Sequence, residues 1–158
     1  MQLTTNFSLE ELYVSSVATR NGFDNRPNAE QKKCLGDLAR NLLQPVRDLI
    51  DLPLVVTSGY RCAELNRFIG GAPESQHMYG MAADIICPRM KSEKLFKKII
   101  EMQLPFDQLI LEKGRYGGWV HVSYDSNRQR KELLLASFPA GGGVHYQRLT
   151  ANEAAAVA

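Results

Sequence analysis

Residues 108–124 read QLILEKGRYGGWVHVSY, and this stretch decides the fold of the C-terminal half. Gln108–Glu112 and Trp119–Tyr124 both contain apolar, β-branched or aromatic residues, and the segment between them is rich in glycine. Two such runs on either side of a glycine turn predict a β-hairpin. Alternation along the second strand places Trp119 and His121 on the same face of the sheet.

Helical signals dominate the chain before this hairpin. Ser8 and Glu11 have the spacing of a capping box, and the apolar pattern after them predicts a helix over residues 8–19. Asn28 is a suitable N-cap for a second helix, whose apolar stripe continues to Ile50. Pro45 lies within that stripe and is expected to kink or restart the helix, because it lacks a backbone donor.

The remaining elements are shorter, and residues 150–158 are expected to form a frayed tail. Helices come first and a mostly antiparallel sheet follows, so we predict an α+β fold in which N-terminal helices pack on a sheet that carries the functional site. We expect residues 1–158 to form a single domain. The other predicted elements are a buried strand at Leu54–Thr57, a helix at Ala63–Ile69, a strand at Ala82–Cys87, a helix capped by Ser92, and tail strands at Leu133–Ala136 and Val144–Leu149.

Composition excludes several classes of protein. The chain has 158 residues and a formal charge of +2, without the concentrated basic surface of a nucleic-acid-binding protein. No run reaches the roughly 18 apolar residues needed to span a bilayer, and the N-terminus lacks the pattern of a signal peptide, so we expect a protein made in the cytoplasm without membrane insertion. We also expect it to be a monomer. Cys34, Cys62 and Cys87 are odd in number and are expected to be reduced packing residues.

The positions of the histidines suggest a metal site. His77 lies in a loop before the strand that begins near Asp84, and His121 lies within a strand. Two imidazoles and one carboxylate suit zinc, and three protein ligands leave one position open for water, as in catalytic sites. Spacing alone also allows an exposed loop histidine, a capping aspartate and a hydrogen-bonded core histidine.

Several short motifs extend this pattern. Ser58-Gly59-Tyr60-Arg61 lies upstream, Ser75-x-His77-x-x-Gly80-x-Ala82-x-Asp84 follows, and Trp119-Val120-His121 comes last. In this order they resemble the zinc D-alanyl-D-alanine carboxypeptidase family, and most closely its small phage and prophage members. The resemblance runs from about Asn6 to Tyr124. It implies a zinc-bearing α+β fold that cleaves peptide bonds at D-amino acids in bacterial cell walls, with His77, Asp84 and His121 as zinc ligands.

The general base departs from the family pattern. Many members carry an acidic residue three positions before the last histidine, where this chain has Gly118. We expect Glu112 to act as the base instead, because a hairpin in which it opposes Trp119 or His121 places its carboxylate on the face of His121. A register shifted by one residue would point it away. Asp107 and Asp125 are the alternatives.

Three further residues are expected at the site. Arg61 resembles the family's substrate-side arginine and is expected to bind a substrate carboxylate or the developing oxyanion, rather than the metal. Ser75 matches the motif serine, which either binds the substrate backbone or shapes the loop. Trp119 is expected to line the cleft, and His145 is not expected to be a ligand.

The predicted activity is zinc-assisted hydrolysis of amide bonds in peptidoglycan stem peptides, by a carboxypeptidase or an endopeptidase such as a phage endolysin. Two alternatives remain, and the missing acid at Gly118 supports the first of them. One is a non-catalytic zinc domain that binds the cell wall or a protein partner. The other is a structural component of a phage particle. Absence of a signal peptide suits a phage lysin released through a partner pore and an intracellular recycling enzyme equally.

Overall fold

A six-stranded sheet organises the computed structural model, which describes all 158 residues. The strand order is β1-β2-β4-β3-β5-β6, and only β3 and β5 run parallel. The predicted α+β fold with a mostly antiparallel sheet is therefore confirmed. The strands are β1 (Val55–Ser58), β2 (Ala82–Ile86), β3 (Gln108–Gly114), β4 (Gly117–Ser123), β5 (Glu132–Ser137) and β6 (His145–Arg148).

Six α-helices accompany the sheet, together with short 3₁₀ and π segments. No helix has both the length and the apolar character needed to cross a membrane. The α-helices are α1 (Ser16–Asn21), α2 (Ala29–Leu38), α3 (Gln44–Ile50), α4 (Ala63–Phe68), α5 (Ser92–Glu101) and α6 (Ala151–Ala155). The 3₁₀ segments are Glu10–Leu12 and Gln76–Tyr79, and the π segment is Ala39–Leu43.

Strand alternation separates the core from the functional face of the sheet. One face contributes alternate apolar residues of β2, β3 and β4 to a core of 27 buried residues that also includes the apolar sides of the helices. The opposite face of the sheet carries the candidate site, because Asp84, Glu112 and His121 alternate along their strands with these core residues. The sheet residues of the core are Ala83, Ile85, Leu109, Leu111, Val120 and Val122.

The N-terminal region differs from its prediction in one place. Ser8 and Glu11 form the expected reciprocal hydrogen bonds, but the helix ends after Leu12 and a new one begins at Ser16. The hydroxyl of Ser15 accepts the backbone N–H of Ala18, so this serine caps a second helix instead of continuing the first. Serine stabilises helix starts better than helix interiors, which explains the break.

The second helical region follows its prediction closely. Asn28 forms the predicted capping box with Gln31. The helix continues to Ile50, but the π segment Ala39–Leu43 widens its hydrogen-bond pattern immediately before Pro45. This local change accommodates the proline, since a regular α-helix would place its ring against the carbonyl one turn earlier.

Three smaller expectations are corrected. β1 is not buried: it forms an edge of the sheet, and its residues alternate between exposed and half-buried. Ser92 is the first helical residue of α5 rather than its cap, and Lys91 occupies the cap position without a side-chain hydrogen bond. The tail is not frayed, because Thr150 and Glu153 form a capping box on α6 and Ala154 is fully buried against the core.

Candidate metal centre and cleft

A cleft of about 780 Å³ lies on the face of the sheet opposite the core. Its floor is formed by side chains of β2, β4, β3 and β5 that point away from the helices. One wall is the loop at residues 69–76, and the other comes from the C-terminal strands. All seven residues that the sequence assigned to the site line this cleft: Arg61, Ser75, His77, Asp84, Glu112, Trp119 and His121.

His77 is held by a tight turn. The hydroxyl of Ser75 accepts the backbone N–H of His77 at 3.3 Å and begins the 3₁₀ segment. Gly80 ends that segment with φ of 72°, and a Cβ there would lie 2.5 Å from the carbonyl oxygen of Gln31. Only glycine fits both conditions. Ser75 therefore has a role in shaping the loop, and a contact between Ser75 and substrate remains a prediction.

Asp84 and His121 meet through direct strand pairing. Asp84 in β2 is the cross-strand partner of His121 in β4, and paired residues project from the same face. His77 reaches them from its loop, and all three side chains are buried. The sequence separates these residues by as many as 44 positions, and the antiparallel pairing of β2 with β4 brings them together.

The three side chains have the geometry of a metal centre. Asp84 Oδ1 lies 3.1 Å from His121 Nδ1 and 3.3 Å from His77 Nε2, and the two nitrogens are 3.2 Å apart. Four ligands arranged tetrahedrally at about 2.0–2.1 Å from zinc are separated by about 3.3–3.4 Å. The observed triangle therefore matches one face of such a shell, and leaves the fourth corner without a protein ligand.

The protonation states of these side chains also favour a bound cation. His77 Nδ1 donates to the carbonyl oxygen of Gly59 at 2.7 Å, so the Nε2 atom of a neutral imidazole presents a lone pair. Burial lowers the pKa of His77 and keeps it neutral. Burial disfavours the charged form of Asp84, but His77 and His121 outweigh it and hold the pKa of this carboxyl below its usual range. His77 Nε2 and Asp84 Oδ1 thus present two acceptor atoms next to His121 Nδ1. In the tautomer of His121 that carries its proton on Nε2, a cation would satisfy all three atoms.

Arg61 contacts the metal-centre carboxylate, which the sequence did not predict. Its Nη2 donates to Asp84 Oδ2 at 3.0 Å, while its Nε donates to the hydroxyl of Ser58 at 2.9 Å. The guanidinium thus orients Asp84 so that Oδ1 faces the two histidines. Such a partner behind a ligand fixes its geometry and raises metal affinity. Arg61 also lines the cleft, so the predicted contact with substrate remains a proposal.

Glu112 lies opposite Trp119 across the hairpin, and Ile110 lies opposite His121. In this register the carboxylate of Glu112 projects from the same face as His121, which is the register predicted from the sequence. Burial, followed by the negative charge of Asp84, raises the pKa of Glu112 to about 7. A carboxyl group with a pKa near the working pH suits proton transfer in both directions.

Gly118 explains why the acid must come from another strand. Gly118 lies three residues before His121 on β4, and side chains an odd number of residues apart on a strand project from opposite faces. A side chain at position 118 would therefore project from the core face of the sheet. A Cβ added at Gly118 would lie 3.4 Å from Ser92, at the start of α5, and 3.0 Å from the backbone oxygen of Glu112. An acidic residue at this position would therefore point away from the cleft, whereas Glu112 points into it.

The two alternative bases are unsuitable in this structure. Asp107 is fully buried and accepts hydrogen bonds from Arg130 Nε and Nη2, both at 2.8 Å, and from Gln76 Nε2 at 2.9 Å. Although burial opposes ionisation, these contacts lower the pKa of Asp107, so it is a poor proton acceptor. Asp125 lies outside the residues that line the cleft, and its carboxylate accepts the backbone N–H of Asn127.

Sequence reasoning missed several residues of the cleft. Phe138 packs against Trp119 with ring centroids 5.6 Å apart, and Tyr146 lines the same wall. Trp119 Nε1 and Gln76 Oε1 are buried without a hydrogen-bond partner. An unpaired buried polar atom costs about 1–3 kcal/mol, so both are candidates for contact with a ligand or a water molecule. Two tail strands were predicted, but not that β5 pairs with β3 of the hairpin and β6 with β5. This pairing brings Phe138 and Tyr146 to the cleft wall that contains Trp119.

The remaining histidine and the cysteines lie outside the metal centre. His145 is exposed on β6 and does not line the cleft. Cys34 is half-buried, Cys62 and Cys87 are buried, and none of the three forms a disulfide. None of these four residues belongs to the cluster of possible metal ligands.

We expect Arg61→Lys to reduce zinc affinity as well as turnover. Lysine keeps the charge but not the planar group that contacts Asp84 and Ser58 together. Loss of an outer-shell partner typically costs about 10- to 100-fold in affinity or activity. Competition with a chromogenic chelator measures the affinity, and turnover at saturating zinc isolates any contact with substrate. The exposed Arg67→Lys is the control, and wild-type affinity and turnover in Arg61→Lys would contradict both roles.

Comparison with known proteins agrees with this geometry. A family model described as Peptidase M15 matches residues 5–123, which include Arg61, Glu112 and the three possible metal ligands. No curated protein matches the chain. The matched region covers most of the chain, and it contains the cluster that a metallopeptidase requires. The chain therefore belongs to peptidase family M15, the family of the zinc D-alanyl-D-alanine carboxypeptidases.

Proposed function

We propose that this protein is a zinc-dependent peptidase that hydrolyses amide bonds at D-amino acids in peptidoglycan stem peptides. The observation that carries the proposal is the triangle of ligand atoms at 3.1–3.3 Å on the floor of a cleft, with Glu112 on the same sheet face. Family membership supports both the peptidase chemistry and the class of substrate.

The residues of the centre divide the chemistry among them. His77, Asp84 and His121 would hold zinc, which supplies Lewis-acid chemistry: it polarises a carbonyl and makes water more acidic. Glu112 accepts the proton of the attacking water and returns it to the leaving amine, a role that suits its raised pKa. Arg61 keeps Asp84 in position and presents positive charge to the oxyanion that develops on the substrate.

We expect the activity to rise as pH increases through the pKa of Glu112. The base must be ionised to accept a proton, so activity is lost as the pH falls below this pKa. Burial raises the pKa of Glu112 to about 7 in the metal-free protein, and a bound cation would favour the carboxylate and bring the pKa back down from this value. The acid limb of kcat/KM is therefore expected at or below about pH 7. A zinc-saturated enzyme whose kcat/KM falls with rising pH across pH 5–7 would contradict the assignment.

Hydrolysis of a peptide ending in D-Ala-D-Ala tests the proposal against its alternatives. A zinc-loaded carboxypeptidase should release D-alanine and cleave the matched L-Ala-L-Ala peptide far more slowly, whereas a zinc-loaded endopeptidase should open a D-alanyl cross-link in a dimeric muropeptide. A non-catalytic wall-binding domain or a phage structural component would cleave neither these peptides nor the cross-linked muropeptide. In that case, co-sedimentation with purified peptidoglycan distinguishes a wall-binding domain, which sediments, from a structural component, which does not.

A further inference from the structure

The part of the chain beyond the family match builds one wall of the cleft. Residues after Tyr124 form β5 and β6, and β5 extends the sheet through its parallel pairing with β3. This segment brings both apolar and cationic side chains to the proposed active site. The cleft residues that it contributes are Arg128, Arg130, Leu134, Phe138, Val144 and Tyr146.

The cleft has different chemistry at its two ends. At one end, near the hairpin turn, Trp119 packs against Phe138 close to Tyr146. At the other end, where β3 begins and β4 finishes, Arg128 and Arg130 line the cleft. The metal ligands lie between these ends. A substrate that lies along the strands would therefore have its anionic part at the arginine end.

Arg128 is the cation at that end whose charge is least engaged. Arg130 binds Asp107 through two hydrogen bonds at 2.8 Å, and Arg148 donates to Glu132. Arg128 approaches Asp107 only to 3.5 Å and Asp125 only to 4.0 Å, and its side chain makes no hydrogen bond. Its side chain is 52% exposed. None of the five donors of this guanidinium makes a hydrogen bond to the protein, so it can bind a ligand in addition to its two long ion pairs.

Strand geometry gives the distance between this end and the metal centre. Asp107, which Arg128 approaches, donates its backbone N–H to the carbonyl of Ser123, two residues beyond His121. At about 3.3–3.4 Å per residue, the Asp107–Ser123 pair lies about 7 Å along the strand from His121. A flexible arginine can shorten that distance. The separation therefore corresponds to one or two residues of an extended peptide.

We propose that Arg128 binds a substrate carboxylate located one or two residues beyond the bond that is cut. This inference rests on the proposed function and narrows it to peptides cut next to a negative charge. The carboxylate has two sources in principle: the free C-terminus of the peptide or an acidic side chain of the residue after the cut. Both would form a charge-assisted and potentially bidentate contact with the guanidinium.

Three matched peptides test the proposal on the zinc-loaded protein. The first is an N-acylated D-Ala-D-Ala with a free C-terminus, the second is its C-terminal amide, and the third is acyl-D-Ala-D-Glu amide. Wild type should prefer at least one of the two acidic peptides over the neutral amide by about 10- to 100-fold in kcat/KM, the usual size of a charge-assisted contact. Arg128→Gln should abolish most of that preference.

The control is Arg26→Gln, because Arg26 is exposed and also forms one ion pair at 4.0 Å, but lies outside the cleft. It should retain the wild-type preference. A preference for the free C-terminus identifies a carboxypeptidase, and a preference for D-Glu identifies side-chain recognition; either supports the proposal if Arg128→Gln removes it. Equal rates for all three peptides, or a preference that Arg128→Gln retains, would overturn it.

A binding measurement separates this inference from the proposed activity. Calorimetric titration of the zinc-loaded Glu112→Gln protein with the same peptides requires no turnover. Tighter binding of a carboxylate peptide that is lost on adding Arg128→Gln supports the role of Arg128 even if no peptide is cleaved. If all three peptides are cleaved but bind with equal affinity, the proposed peptidase activity stands and the Arg128 subsite is eliminated.

Discussion

Alanine at His77, Asp84 or His121 is expected to remove most of the zinc from the purified protein and to abolish hydrolysis. Wild type should carry about one zinc per chain, because the three ligand atoms form a single triangle. Removal of one of three protein ligands breaks the tetrahedral shell. The loss of affinity should exceed the 10- to 100-fold that is typical of outer-shell changes. Metal analysis after gel filtration measures the occupancy of each variant.

The matched control for this prediction is His145→Ala. His145 is exposed and lies outside the cluster, so its loss should leave zinc content unchanged. Serine at Cys34, Cys62 or Cys87 should also leave the metal in place, although Cys62 and Cys87 are buried and their replacement can lower stability. Full zinc retention in all three alanine variants would eliminate the metal centre.

Replacing Glu112 with glutamine is expected to lower turnover by about two to four orders of magnitude, which is the usual contribution of a positioned base. Glutamine keeps the size and the hydrogen-bonding reach of the side chain, but it does not accept a proton near neutral pH. Zinc content should remain close to that of wild type, because Glu112 is not one of the ligands. Steady-state kinetics at saturating zinc measure the effect, with the exposed Glu101→Gln as the control.

The same substitution has a second readout in the metal-free protein. The pKa of Glu112 is raised from 4.5 to about 7 in the folded state, so the carboxylate ionises more readily in the unfolded chain. The free energy of unfolding therefore decreases as the pH rises from about 4.5 through 7. Glutamine does not ionise, so the variant does not lose stability over this pH range. At pH 8 the metal-free variant should be more stable than wild type by up to roughly 3 kcal/mol, and the difference should vanish at pH 4. Near-normal turnover together with an unchanged stability profile would sink the assignment of Glu112.

The metal cluster could be predicted because local patterns specify its parts. Alternation along the hairpin sets the faces of Glu112 and His121, and the turn between the strands sets their register. Motif resemblance then connects His77 with the two strand residues. Helix starts were predictable where one cap dominates, as at Asn28, and failed where Ser8 and Ser15 compete within one short segment.

The contacts that the sequence did not predict are all long-range. The hydrogen bond from Arg61 to Asp84 depends on how β1 and β2 pair, with Ser58 opposite Asp84 after an irregularity in the register. The placement of Phe138 and Tyr146 depends on β5 joining β3 in parallel, across a connection that carries no local signal of orientation. The sequence alone does not exclude Asp107 as a base, because its burial beside Arg130 depends on tertiary contacts that no local pattern reveals.

Mass spectrometry of peptidoglycan fragments tests the central claim most directly. Purified muropeptides are incubated with zinc-loaded protein, with the same protein after chelation, and with Glu112→Gln. We predict that the zinc-loaded protein releases a D-amino acid or opens a peptide cross-link, and that the chelated protein and the Glu112→Gln variant leave the stem peptides intact. Fragments that the zinc-loaded protein leaves unchanged, or that the chelated protein cleaves equally well, would contradict zinc-dependent hydrolysis at this centre.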